Sequence, residues 1–342
     1  MAREITKNHD IIFCNRPKSR AADIFFYGCK DIGLHPTARL VRKLRNASVR
    51  GNMVNLSEML IATSNSVVAR CILGRKLQED DGLISSLKAT FRELDPFLEE
   101  VIEDHKTGEN NHSDKKDFMD FLFQLQKDGM LQMELTLNNL KAILLDMFVA
   151  GSDTTSSTGE WGMAELLRNE TMMKKAQEEV RKVIGKKSII DVNHMSKMEY
   201  LKCVSKETLR LHPPPALIYR ETSEIVKLRG YDIPPKVMVL TNSWAIHRDP
   251  NLWDRPEEFV PERFEKNPID IKGLDFHYIL FGFGRRGCPS LTFGVFAVEC
   301  LMANLLHWFD WKQPEELDMD EVSGFTVHKK NPLLLIPIPN SP

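Results

Sequence analysis

The sequence predicts a mainly α fold with small β-sheets. A long stretch, capped at Thr136 and reaching about Arg168, reads as one dominant helix. Shorter stretches with helical periodicity and end signals lie on both sides of it. Strand-like patterning is confined to brief segments near 225–240 and 326–339.

Each element has its own signal. Thr37 to Arg50 carries Arg39, Arg42, Lys43, Arg45 and Arg50 with no acid. That run reads as the solvated face of a helix, or as a docking face for an acidic partner. Ser57 is expected to cap a helix over 57–73 with apolar Leu60, Ile61, Val67, Val68 and Ile72. Another helix is expected over 84–105, acidic outside, followed by a polar loop from Gly108 to Lys116. The Thr136 helix spans roughly 50 Å at ~1.5 Å per residue, so it should cross the centre of the molecule. Its middle, Ala150-Gly151-Ser152-Asp153-Thr154-Thr155, is poor helix sequence and can widen locally. A helix over 169–184 closes at Gly185, and one over 197–211 stops at Pro213-Pro214-Pro215. Ile225 to Leu228 and Val237 to Leu240 are expected to pair around Gly230 and Pro234-Pro235. A loop-rich segment runs from Asp249 to Arg286. Pro289 then opens a last helix to about His307, and Thr326 to Pro339 reads as short strands.

Composition removes several functional classes. The 46 Lys and Arg nearly balance 48 Asp and Glu, so no nucleic-acid partner is expected. Cysteines at 14, 29, 71, 203, 288 and 300 form no C-x-x-C pair, which argues against a zinc ribbon or thioredoxin-like site. They are too sparse for a disulfide scaffold. No stretch reads as the 18 or so apolar residues that cross a bilayer, and no signal-peptide pattern opens the chain. A soluble intracellular chain is the expectation.

Chemistry concentrates in Phe281-Gly282-Phe283-Gly284-Arg285-Arg286-Gly287-Cys288-Pro289. Its glycines permit close backbone approach to a flat ligand, and its arginines suit a carboxylate or phosphate. Cys288, just before a helix, gains thiolate character from the helix dipole and nearby Arg. A buried structural cysteine and a phosphate loop are the alternatives, although G-x-x-x-x-G-K-[ST] is absent. Asp153 and Thr154 can relay protons, or can form a packing notch with Ala150 and Gly151. Glu207 and Arg210 can pair at i, i+3, and Pro261-Glu262-Arg263-Phe264 reads as a turn with an aromatic anchor.

Taken in order, A-G-x-D-T-T, E-x-x-R, P-E-R-F and F-x-x-G-x-R-x-C-P resemble the cytochrome P-450 family. Ala150 to Trp161 and Trp244-Ala245-Ile246-His247-Arg248-Asp249-Pro250 resemble its plant microsomal type. The similarity is clear over 115–339 and weak over 1–114, where Phe13-Cys14-Asn15-Arg16-Pro17 fits. It implies one cytochrome P-450-like domain over 1–342. It also implies haem b, with Cys288 as the thiolate on iron, Arg286 and Arg220 on the propionates, and Phe281 near the sulfur. Ala150 and Gly151 would leave room for O2, which Asp153 and Thr154 would supply with protons. Glu207, Arg210 and Arg263 would form a buried structural triad. Phe148, Ala216, Leu217, Phe325 and Thr326 would face a lipophilic substrate. Electrons would come from NADPH through NADPH-cytochrome P-450 reductase to a monomer. Family members sit on the cytosolic face of the endoplasmic reticulum membrane; this sequence is expected to lack the anchor and to be soluble.

The resemblance has gaps. No W-x-x-x-R helix follows Asp31-Ile32-Gly33, a second gap lies near Asp81-Gly82, and Ser290 stands where the family usually has Gly. Three readings follow: a haem-thiolate monooxygenase, a shortened non-catalytic relative with impaired haem binding, and a haem-binding module without turnover.

Overall fold

A computed structural model describes residues 35–73, 91–107, 117–131, 134–186, 190–266, 269, 271, 275–314, 316–324 and 326–340. Expectations for Phe13 to Pro17, Asp31 to Gly33, Asp81-Gly82, Gly108 to Lys116 and Phe325 lie outside the described residues.

In chain order the elements are α1 (His35–Val49), β1 (Val54–Asn55), α2 (Leu56–Leu73), α3 (Phe91–Thr107), α4 (Phe118–Lys127), α5 (Leu137–Arg168), α6 (Glu170–Ile184), α7 (Val192–Met195) and α8 (Glu199–Leu211). Then come β2 (Leu217–Glu221), β3 (Val226–Leu228), β4 (Tyr231–Ile233), β5 (Met238–Asn242), α9 (Ser243–Ile246), α10 (Leu291–Trp308), β6 (Phe309–Lys312), β7 (Glu321–Val322), β8 (His328–Lys329) and β9 (Leu334–Pro339). The mainly α reading with small sheets holds.

The long helix starts where its cap requires. Thr136 Oγ1 accepts from Asn139 N at 3.2 Å, and Asn139 Oδ1 accepts from Thr136 N at 3.1 Å. The expected widening at Ala150 to Thr155 does not occur. Instead Thr154 Oγ1 donates to the Ala150 carbonyl at 2.6 Å and Thr158 Oγ1 to the Thr154 carbonyl at 2.8 Å. These hydroxyls stay inside the helix by bonding one turn back. Two glycines let α10 lie close against α5. A Cβ on Gly162 would stand 2.8 Å from Met302 Cε, and one on Gly159 would stand 3.0 Å from Leu301 Cδ2.

α1 buries Leu40, Val41 and Leu44 and leaves Arg42, Lys43 and Arg50 exposed, as a solvated basic face should. Arg45 lies over the Trp308 ring at 4.2 Å. Ser57 is not the cap of α2. Asn55 Oδ1 takes Glu58 N at 3.2 Å, so the helix begins earlier. Ser57 Oγ donates instead to Glu160 Oε1 and accepts from Leu333 N. It thereby ties α2 to α5 and to the tail. That tail, as β9, pairs antiparallel with both β1 and β6.

The expected hairpin is re-paired. β3 joins β4 across Arg229 and Gly230, whose φ values are 46° and 89°. Two consecutive positive φ values make a tight two-residue turn that suits the twist of paired strands. β5 pairs with β2, placing Arg220 opposite Val239. Pro234 and Pro235 lack the N–H that a turn between β3 and β5 would use. The bilayer expectation also changes. Leu291–Trp308 is long and apolar enough to cross a membrane by length and composition. It is a core helix, with Leu301, Met302, Ala303, Leu305 and Leu306 buried in the main apolar cluster.

Candidate functional site: a cleft between the long helix and the cysteine loop

The cysteine loop rests on a buried polar scaffold. Glu207 and Arg210 are fully buried on α8, where Arg210 Nε and Nη2 donate to the Glu207 carboxylate at 2.9 and 2.8 Å. Glu207 Oε1 also accepts from Arg263 Nε at 3.0 Å and Val260 N at 2.8 Å. Arg210 spends its other donors on the carbonyls of His247, Pro256 and Glu258. The expected triad is therefore assembled, and backbone groups complete it. His247 carries it to the loop. Its Nε2 accepts from Ile279 N at 2.9 Å, and Tyr278 OH donates to the Lys206 carbonyl at 2.6 Å. Burial, followed by the nearby Arg210 charge, pushes the His247 pKa down to about 3, so the ring is neutral.

Beyond Ile279 the chain makes a tight bend. Cys288 N donates to the Phe281 carbonyl at 2.7 Å, closing the loop on itself. Gly282, at φ +68°, provides the bend, and a Cβ there would stand 3.2 Å from Arg220 Nη2. A short 3₁₀ turn, Gly284–Arg286, precedes Gly287 and Cys288.

These constraints aim the Cys288 thiol, exposed and unbridged, into a cleft of about 250 Å³ that opens to solvent. Arg220 and Arg286 share the cleft with it. Phe281 lines it from the loop, and Ala150, Gly151 and Thr154 line it from α5. Leu217, Ile218, Phe293 and Val298 give it apolar walls. The alternation along β2 explains the arginine: Tyr219 and Glu221 are exposed while Arg220 turns inward. A sulfur, two guanidinium groups and a small-residue wall facing an apolar slot suit a flat anionic iron macrocycle.

Some expected positions fall elsewhere. Asp153 is not among the residues lining the cleft. Its carboxylate faces β8, with Oδ1 3.2 Å from His328 Nε2. Burial opposes its ionisation, but His328 and the Thr326 hydroxyl beside it hold its pKa below the usual carboxylate value. The same hydrogen bond raises His328. Thr326 is 1% exposed and is not among the residues lining the cleft. Phe148 is buried in the apolar cluster that includes Val68 and Leu144, because α2 covers that face of α5. Ala216 contributes its carbonyl to Ser243 N at 3.0 Å, so it holds α9 and does not line the cleft.

The sequence reading missed His328, which touches Asp153 across 175 positions of chain. No local signal announces such a pair. It also missed Phe293 and Val298, although their spacing on an apolar helix allowed them to be found.

The cytochrome P450 family model matches residues 81–336. Phenylacetaldehyde oxime monooxygenase of Prunus mume is 41% identical, covering 100% of this chain and 80% of that protein. Cytochrome P450 71A1 of Persea americana is 39% identical, covering 98% and 82%. Costunolide synthase of Cichorium intybus is 37% identical, covering 100% and 83%. A solved zebra fish cytochrome P450, in a structure with abiraterone, shares the fold at TM-score 0.85 and 21% identity, covering 99% of this chain and 91% of that one.

The family match and the relatives make this a haem-thiolate oxidoreductase. The chain belongs to the cytochrome P450 family, in its plant type. It is a monooxygenase that uses haem b, O2 and NADPH-derived electrons from a reductase to put one oxygen atom into a small lipophilic molecule. The non-catalytic and haem-module alternatives have no better support. The Prunus alignment runs over 419 positions against 342 residues here, so the relative carries internal segments that this chain does not.

Proposed function

We propose that Cys288 is the axial sulfur ligand of the haem and that Arg220 and Arg286 hold its propionates. The observation that carries this is the meeting of these three side chains in one cleft opposite Ala150 and Gly151. Bound there, the haem supplies O2 activation. The protein supplies the rest. The loop fixes the sulfur, because the Cys288 amide is already held by the Phe281 carbonyl. Ala150 and Gly151 leave room for O2. Leu217, Ile218, Phe293 and Val298 exclude water and orient an apolar substrate, with Phe281 beside the sulfur.

Proton supply divides between two groups. Thr154 lines the cleft, and its hydroxyl, which bonds back to the Ala150 carbonyl, would turn from it to hand on a proton. Asp153, ionised outside the cleft beside Thr326, is the relay between the Thr154 hydroxyl and solvent. His328, 39% exposed at its side chain, refills it from solvent. The whole chain is one domain, works as a monomer without nucleic acid, and acts at the cytosolic face of the endoplasmic reticulum membrane.

The reduced carbon-monoxide difference spectrum of haem-loaded chain tests the assignment. A strongly red-shifted Soret band is expected, and Cys288→Ser should abolish it. An unchanged band in that variant would remove Cys288 from the iron.

A further inference from the structure

We propose that the Ser290 hydroxyl donates a hydrogen bond to the Cys288 sulfur and weakens its electron donation to iron. The inference rests on Cys288 being the axial ligand.

The geometry is direct. Ser290 Oγ lies 3.3 Å from Cys288 Sγ, the only side-chain hydrogen-bond contact of that sulfur among the described residues. An iron-bound thiolate carries no proton, so the hydroxyl must be the donor. Among the described residues nothing else claims that hydroxyl. Ser290 occupies the N-cap position of α10, where serine normally accepts a bond from a helix amide. Here φ is −99° and ψ is 20°, not the extended backbone of a working cap, and the side chain makes no capping bond. The cap position has given its hydroxyl to the sulfur. The Cys288 amide is committed to the Phe281 carbonyl at 2.7 Å, and Pro289 has no N–H. Ser290 lines the same cleft as Cys288.

The consequence follows from charge. A donor to a thiolate makes a charge-assisted bond and draws electron density from the sulfur. The iron–sulfur bond then softens and the ferrous state gains relative to the ferric state. Ser290 is a positioning residue acting through Cys288, not a catalytic one.

Three variants of the full, haem-loaded chain separate hydroxyl from bulk. Ser290→Ala removes the hydroxyl and keeps Cβ. Ser290→Gly removes both, and Ser290→Thr keeps a hydroxyl. The readouts are the iron–sulfur stretch by resonance Raman, the ferric–ferrous potential and the reduced carbon-monoxide band. Ala and Gly should shift together: a higher stretching frequency, a more negative potential and a band at longer wavelength. Thr should stay near the parent. If Ala matches the parent while only Gly shifts, the side chain acts by bulk and the hydrogen bond is refuted; coincidence of all four proteins refutes it equally. A parent without any red-shifted thiolate band overturns the Cys288 assignment itself, and this proposal falls with it.

Discussion

Two carboxylates, Glu207 and Asp153, each face a cationic or potentially cationic partner, yet they do opposite work. Glu207 is fully buried and takes four hydrogen bonds, from both arginines and the Val260 amide. Asp153 is 21% exposed at its side chain and meets one histidine that itself reaches solvent. Burial with saturated partners makes an immovable strut. Partial exposure with one titratable partner makes a pair whose proton, carried by His328, can exchange with solvent. The lesson is that residue type does not separate scaffold from proton handling; solvent access and partner count do.

The comparison can be attacked at its strongest point first. Glu207→Ala leaves two guanidinium groups buried without their acceptor and should cost about 3–5 kcal/mol. A denaturant midpoint and the bound haem per chain should both fall, since the same network carries the cysteine loop through His247. A variant that unfolds normally but keeps full haem would break the link between strut and loop.

Asp153→Asn should behave in the reverse way. Its pair with His328 is partly exposed, so stability should change by less than about 1 kcal/mol. Product formation should drop about 10²-fold, with haem content and thiolate band unchanged. His328→Gln should follow it at smaller amplitude. Equal loss of stability in Asp153→Asn and Glu207→Ala would erase the contrast.

The histidines sharpen it through pH. His247 has its pKa pushed down from 6.5 to about 3, so its contribution is present above 6.5 and lost as pH falls below that. Stability should decline by at most about 1.4 kcal/mol per pH unit on that side. His328 is raised, so its smaller contribution is present below 6.5 and lost as pH rises through its folded value. Denaturant titrations across pH should show an acid slope that His247→Asn flattens and a weak alkaline slope that His328→Gln removes.

The smallest structural effect belongs to Thr154→Ala. It loses one back-bond to the Ala150 carbonyl but gains helix propensity, so stability should hardly move. Oxygen consumption should rise relative to product formed. Identical coupling in variant and parent would take Thr154 out of proton delivery.

Much of the site is legible in one dimension because its parts are local motifs. The loop from Phe281 to Pro289 contains its own bend and its sulfur. Glu207 and Arg210 are neighbours on one helix turn, and Arg220 lies inward by strand alternation. The Thr136 cap and the Gly185 stop are likewise local, and both stand where expected. Leucine and isoleucine periodicity gives the helices for the same reason.

The tertiary structure decided what depends on distant partners. It paired β2 with β5 and β3 with β4, since strand choice depends on which apolar faces meet and not on sequence adjacency. It moved Phe148 from the cleft into the core because α2 covers that side of α5. It gave Asp153 a histidine from the far end of the chain and turned the carboxylate from the cleft toward it. It also took the Ser290 hydroxyl from its helix cap to the sulfur. The sequence determined which groups the protein owns and the short-range geometry that the peptide backbone enforces. Packing decided their solvent exposure and partners, because hydrogen bonds and burial act through space, and on those depend each group's charge and task.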